Sequence, residues 1–235
     1  MIPISDNIFF FRRRKPIIIY CLIAINIALF LWELKLELGD ELGNFVNSLG
    51  LVPAQISAAS ANALAGNSAA WIVVLMRSTS LLTGMFLHGS FSQILGNLIF
   101  LWVFGKTIET ILGSGRFLLF YLVCGIFTGL VQILAEPSLT VPLIGANGAI
   151  TAILGAYVLK FAKAKIDSIL PLLIVFIPVQ LSASFYVVWW FVQQIFYGIG
   201  SLNIPGGVNP LSIGYLAQVA GLLIGAGFMK LLQRF

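Results

Sequence analysis

Apolar runs broken by short clumps of charge constrain this chain more than any single motif does. About 20 predominantly apolar residues suffice to cross a bilayer. Six such runs stand out: Pro16–Leu34, Met85–Gly105, Arg116–Leu134, the short and small-residue-rich Asn147–Phe161, Val179–Gly198 and Leu211–Leu232. Only 9% of the residues are charged and 60% are hydrophobic. A soluble domain carries about 25% charged residues, so water is not the main solvent of this fold. A further apolar run, Leu170–Ile177, has Pro171 and Pro178 at its edges. Proline removes a backbone donor and clashes with the preceding turn, so no uninterrupted helix is expected there. The expectation is an all-α, six-helix membrane bundle over residues 16–235, preceded by a basic cytoplasmic tail, residues 1–15.

Cations set the orientation of such a bundle. Of thirteen Lys and Arg residues, all but Lys35 and Arg77 fall on one side when the runs alternate. That side holds Arg12, Arg13, Arg14 and Lys15; Lys106 and Arg116; Lys160, Lys163 and Lys165; Lys230 and Arg234. Glu33, Glu37, Asp40, Glu41 and Glu136 fall on the other. Both termini are therefore expected in the cytoplasm, in a bacterial inner membrane or an equivalent energy-transducing membrane. The net charge of +5 is on this reading a topology signal, and no nucleic-acid partner is expected. "RRRK" before an apolar run also mimics a signal peptide, but no small-residue cleavage pattern follows Phe30-Leu31-Trp32-Glu33, so a retained first span is expected. Cys21 and Cys124 lie inside spans with nothing to pair them; no disulfide, metal or cofactor is expected.

Polar residues inside a membrane are expensive and are functional hypotheses by default. Here they concentrate in three places. The second span, "MFLHGSFSQILGNLIFLWVFG", brings in His88, Gln93 and Asn97, the last two four apart on one helical face. The fourth opens with "LIGANGAI", where Gly145 and Gly148 bracket Asn147. The sixth, "LSIGYLAQVAGLLIGAGF", carries Gln218 on a helix lined by Gly214, Gly221 and Gly225. Small residues at four-residue spacing, Gly148 with Ala152 and Gly221 with Gly225, let helix backbones approach closely. Spans four and six are expected to pack there, with Asn147 and Gln218 hydrogen-bonded to each other.

Nearly the whole chain resembles the rhomboid family of intramembrane serine proteases. The resemblance rests on "GLVP" in the first loop, "FLHGSFSQILGNLIFLWVFGKTIETILGSGRFLLFYLVCGI", "PLIGANGAITAILGAY" and "AQVAGLLIG". It implies a serine–histidine dyad, with the serine in a Gly-x-Ser-Gly turn heading the fourth span and the histidine in an Ala-His-x-Gly-Gly motif on the sixth. A His-x4-His-x3-Asn pattern on the second span would serve the oxyanion hole. The departures fall on the chemistry: Asn147 stands at the serine position, Gln218 at the histidine position, Ala220 at the first glycine of its motif, and Gln93 at the second histidine of span two. His88 and Asn97 match the pattern, and His88 is the chain's one histidine.

An amide is neither a nucleophile nor a base, so the resemblance implies a pseudoprotease. It implies a protein that binds or escorts transmembrane segments of membrane clients, as inactive members of the superfamily do. The structural alternative has Asn147, Gln218, Gln93 and Asn97 merely pairing with one another. The cleft alternative has His88, Gln93 and Asn97 donating to a client carbonyl. Trp189, Trp190, Gln193 and Gln194 in "VVWWFVQQIF" suit a lateral gate as well as an interfacial aromatic belt. His88 acting on Ser90 or Ser92 is a weak substitute for the dyad, and no His-Glu-x-x-His or paired intramembrane acids occur. The rival functions are an active rhomboid endopeptidase, an assembly or stability subunit of a larger membrane complex, and a transporter or channel. The transporter would need titratable groups within the spans, of which His88 is the one candidate. The first external loop, about 39–83, is uncharged and low in complexity in its middle, and a flexible tether is expected there.

Overall fold

The structure, a computed structural model, describes residues 1–9, 15–172, 175–199 and 215–232, with the backbone alone described for 172, 193–199 and 215. Arg12, Arg13, Arg14, Ser212, Gly214, Arg234 and the side chains of Gln193 and Gln194 therefore lie outside the described residues.

The fold is mostly helical. Three stretches are long and apolar enough to cross a membrane: α1 (Ile17–Leu38), the continuous run Phe91–Leu112, and α8 (Ser114–Ala135). The run Phe91–Leu112 consists of α6 (Phe91–Phe100), a π-helical turn (Leu101–Gly105) and α7 (Lys106–Leu112). Helices α9 (Asn147–Phe161), α10 (Ala183–Ile199) and α11 (Tyr215–Leu232) are apolar but shorter.

α9 is the axis of the bundle: every residue from Ala149 to Tyr157 is buried. It meets α11 at a glycine seam. A Cβ at Gly225 would overlap the Ala152 carbonyl, one at Gly221 the Thr151 hydroxyl, and one at Gly155 the Leu222 carbonyl. On its other flank, a Cβ at Gly148 would overlap Thr128 of α8. Backbones this close gain dispersion contacts that side chains would prevent. Around the seam, Phe104, Phe117, Phe120, Tyr121 and Tyr157 are fully buried.

Three expectations are corrected. First, the fold is not all-α. Strand β1 (Ile2–Asp6) pairs antiparallel with β2 (Lys165–Leu172), which pairs antiparallel with β3 (Val175–Ser182). The stretch at 1–15 is thus not simply a tail, and residues 179–182 of the expected fifth span belong to a strand. Pro171, Pro178 and the β-branched Ile and Val residues disfavour helix and suit an edge-rich sheet. Second, the second helix begins at Phe91 and not at Met85. Gly84–Phe86 is a 3₁₀ turn, Leu87 is extended, and the extended Ser90 caps α6 by accepting from Gln93 N at 3.2 Å. A side-chain cap of this kind fixes the helix start.

Third, the first loop is folded. It holds α2 (Leu42–Leu49), α3 (Pro53–Leu64), α4 (Ala70–Ser78) and α5 (Ser80–Thr83). α3 is the low-complexity stretch expected as a tether. Alanine is the best helix former, Pro53 suits the first turn, and Ile56, Ala59 and Ala63 share its buried face.

Candidate functional site

The turn before α9 is held from three directions. Leu51 and Leu143 exchange backbone hydrogen bonds at 3.0 and 2.7 Å, which ties the turn to the first loop. Gly145 N donates to the Gly84 carbonyl at 2.9 Å. Gln93 Nε2 of α6 donates to the Ile144 carbonyl at 3.0 Å, while its Oε1 accepts from Gly89 N at 2.9 Å. Gly145 has φ +113°, and a Cβ there would overlap Gln93 Nε2. Glycine is required on both counts. The turn delivers Asn147 to the first position of α9, half-buried, between two cavities of about 520 and 540 Å³ that it lines together with Gly89 and Gln93.

Gln218 of α11 lines the first cavity and is buried. The expected bond to Asn147 is not formed. Gln218 Oε1 instead accepts from Trp190 Nε1 of α10 at 2.7 Å, and among the described residues no hydrogen bond of the Asn147 side chain is found. Trp190 is itself buried, edge-on to Phe100 of α6 with centroids 4.6 Å apart. Its indole N–H needs an acceptor when removed from water, and the Gln218 amide oxygen supplies one. Trp190 thus points into the bundle, which the belt reading does not accommodate. Trp189 stacks on Phe185.

His88 lies on the extended segment ahead of α6, not on the helix. Its ring is buried, with Nε2 3.1 Å from Asn97 Nδ2. The amide nitrogen donates in this contact and Nε2 accepts. The segment is held by Glu33 of α1, whose two carboxylate oxygens accept from His88 N at 3.1 and 3.2 Å. Ser90 Oγ and Ser92 Oγ bond to each other at 3.0 Å. Neither pairs with His88, so a dyad of His88 with Ser90 or Ser92 is not assembled.

Two carboxylates escaped the reading of the sequence, which placed no acid within the spans. Glu33, 2% exposed, lies within α1, and Glu109, 1% exposed, within Phe91–Leu112. Glu109 accepts from Ile18 N at 3.0 Å, Ile19 N at 2.9 Å and Ser114 Oγ at 2.6 Å, capping the start of α1 from a neighbouring helix. The signal for Glu33 was present: Leu22, Asn26, Phe30 and Glu33 recur at helical spacing on one buried face.

What the site can do follows from its groups. It offers amides, a neutral-competent imidazole already engaged, and backbone turned toward a cavity. Among the described residues, no hydroxyl or thiol is hydrogen-bonded to the imidazole. Such a set can donate and accept hydrogen bonds with a polypeptide.

The chain is 34% identical over 146 residues to "Rhomboid protease GluP" of Bacillus subtilis (strain 168), covering 62% of this chain and 25% of that protein. It is 26% identical over 162 residues to "Rhomboid protein 1, mitochondrial" of Saccharomyces cerevisiae, covering 67% and 40%. With "Rhomboid-like protein 11, chloroplastic" of Arabidopsis thaliana it shares 29% over 154 residues, covering 65% and 52%. The chain thus spans between a quarter and about half the length of these relatives. The family model described as "Rhomboid domain" matches residues 75–235, more than half of the sequence, and takes in Asn147, Gln218 and the whole α6–α11 bundle: the chain belongs to the rhomboid family.

Proposed function

We propose that this chain is a rhomboid-fold pseudoprotease that binds transmembrane segments of membrane clients without cleaving them. One observation carries the reading. At the two positions where the family resemblance implies nucleophile and base stand two amides, and one of them, Gln218, is taken up by Trp190. The single histidine is turned to Asn97. In a soluble serine protease the loss of one dyad member alone costs about 10⁶-fold in turnover. Relatives named as proteases favour the active reading by kinship, but kinship supplies no hydroxyl at residue 147.

In this proposal α9, α10 and α11 join the three longer stretches as membrane-crossing helices, giving six spans. The basic stretch at 12–15 and the C-terminus lie in the cytoplasm, on the side that carries most of the lysine and arginine, and β1 runs back from there along α6. The relatives are bacterial, mitochondrial and chloroplastic by name, which suits a bacterial inner membrane or an equivalent one. The amides at 93, 97 and 147 border the cavities and supply donors for the carbonyls of an unwound client helix, which in hydrocarbon would otherwise go unpaired.

The test is a cleavage assay in proteoliposomes with a helix-destabilised transmembrane substrate, run beside fluorophosphonate labelling. No product and no label are expected. A photo-crosslinker at Ser92, on the second cavity, should capture the same substrate intact. Cleavage or labelling of the wild-type chain overturns the pseudoprotease reading.

A further inference from the structure

The sheet does more than replace a tail. β1 lies along α6 and the π turn, with Pro3 buried and bordering a third, shallower cavity beside Leu98, Ile99 and Trp102. Its far end is clamped: Thr107 Oγ1 and the Tyr157 hydroxyl both donate to Asp6 Oδ2, at 2.5 and 2.8 Å. Ser5 Oγ donates to Asp167 Oδ2 at 3.3 Å, and Asn7 N to the Lys165 carbonyl at 3.2 Å. From that clamp the strand rises along α6 until Met1, Ile2 and Pro3 form one wall of the 540 Å³ cavity, facing Asn147 and Trp190. The N-terminal strand therefore lines, together with α6 and Trp190 of α10, the cavity that reaches the amide site.

β1 is also built to be exchangeable. It is an edge strand of five residues, and Pro3 gives it no amide hydrogen at its second position. Its register with β2 slips between Pro3 and Ser5, which interrupts the ladder. Ile2 and Ile4 are 42% and 45% exposed on its outward face. Apart from the ladder, its firmest hold is the Asp6 carboxylate, whose charge-assisted hydrogen bonds are of the stronger kind.

We propose that β1 holds the place of a client: the groove between β2 and α6 takes an extended, apolar polypeptide segment as a strand. On this view β1 fills the groove until an unwound client displaces it. The occupant is defined by what is there now. It is a short strand with β-branched residues facing outward, a small or imino residue against Ile99, and antiparallel pairing to Ile166–Ile169. In hydrocarbon a client segment that has lost its helix needs backbone partners, and the β2 edge provides a row of them. This rests on the client-binding reading above.

The experiment uses the full chain in proteoliposomes, with a photo-crosslinker at Ile99 and a transmembrane peptide carrying a central Gly-Pro. Without peptide, the adduct should map to residues 1–6 of the same chain. With peptide, that adduct should fall as a client adduct appears. Asp6→Ala should raise client capture about a hundredfold or more, as expected for loss of two hydrogen bonds to a charged group. Conversely, a Pro3→Cys/Ile99→Cys chain lacking Cys21 and Cys124, locked with a short bis-maleimide, should lose client capture at Ser92 and regain it when the linker is cleavable and cut. Client capture at Ser92 that ignores both the lock and Asp6→Ala overturns the strand exchange and leaves client binding standing. Absence of capture from every position in every variant overturns client binding, and the exchange with it.

Discussion

Trp190 donates its indole N–H to Gln218 across 2.7 Å, joining α10 to α11 at the position where the family resemblance implies a catalytic base. The bond is buried at both ends. It converts a residue that would need freedom to move a proton into a fixed acceptor.

Gln218→Leu should therefore destabilise the protein by about 1–3 kcal/mol, the cost of leaving a buried donor unpaired. Trp190→Phe in the same chain should recover part of that loss, since no donor then remains. Thermal unfolding of the two single variants and the double variant in detergent checks this. Strictly additive losses would show that the bond contributes nothing.

Placing a serine and a histidine at 147 and 218 tests whether the cleft can assemble a dyad. Asn147→Ser with Gln218→His places a hydroxyl and an imidazole at the dyad positions but leaves Trp190 without its amide acceptor. Fluorophosphonate labelling should be absent in either single variant and weak in the pair. Adding Trp190→Phe should increase it by freeing the imidazole. Equal labelling with and without Trp190→Phe would remove Trp190 from the account.

Glu109 accepts two backbone N–H groups at the start of α1. Glu109→Ala should cost about 2–5 kcal/mol by leaving these buried donors unpaired, and Glu109→Gln, with one acceptor oxygen, should cost less. The check is protease sensitivity of α1 in membranes together with melting temperature.

At Gly145 two effects can be separated. Gly145→Ala strains a backbone at φ +113° and drives a methyl into Gln93, with an expected loss of about 1–3 kcal/mol. In a Gln93→Ala background the steric part should vanish and the backbone part persist. A penalty that disappears altogether would mean that the positive φ is not enforced.

The glycine seam should be the least tolerant surface of the bundle. Gly225→Val pushes α11 off the Ala152 carbonyl and should cost at least the 1–3 kcal/mol or so typical of overpacking. Gly227→Val meets open space and should cost far less. Comparable melting temperatures for the two would refute the close approach.

Much of this was legible in the chain because its signals are local. Apolar runs over 16–34 and 116–134 announced α1 and α8, and glycines spaced by four announced the α9–α11 seam. The amides were found for the same reason: a polar residue in an oily run stands out against its neighbours. The sheet was not legible. β1 and β2 are more than 150 residues apart in sequence, and strand pairing leaves no mark on either partner alone. The folded first loop was missed because alanine and serine suit a tether and a helix equally until Ile56, Ala59 and Ala63 find a surface to cover.

The sequence by itself determined the solvent of this fold and the residue types at its site, amides at residues 147 and 218. These depend on composition and on functional groups, which folding does not change. Only the tertiary structure decided who pairs with whom. It gave Gln218 to Trp190 and His88 to Asn97, made Glu109 the cap of a distant helix, and laid the N-terminal strand along α6. A buried polar group takes whichever partner packing brings within 3 Å, and packing is set by the whole chain at once.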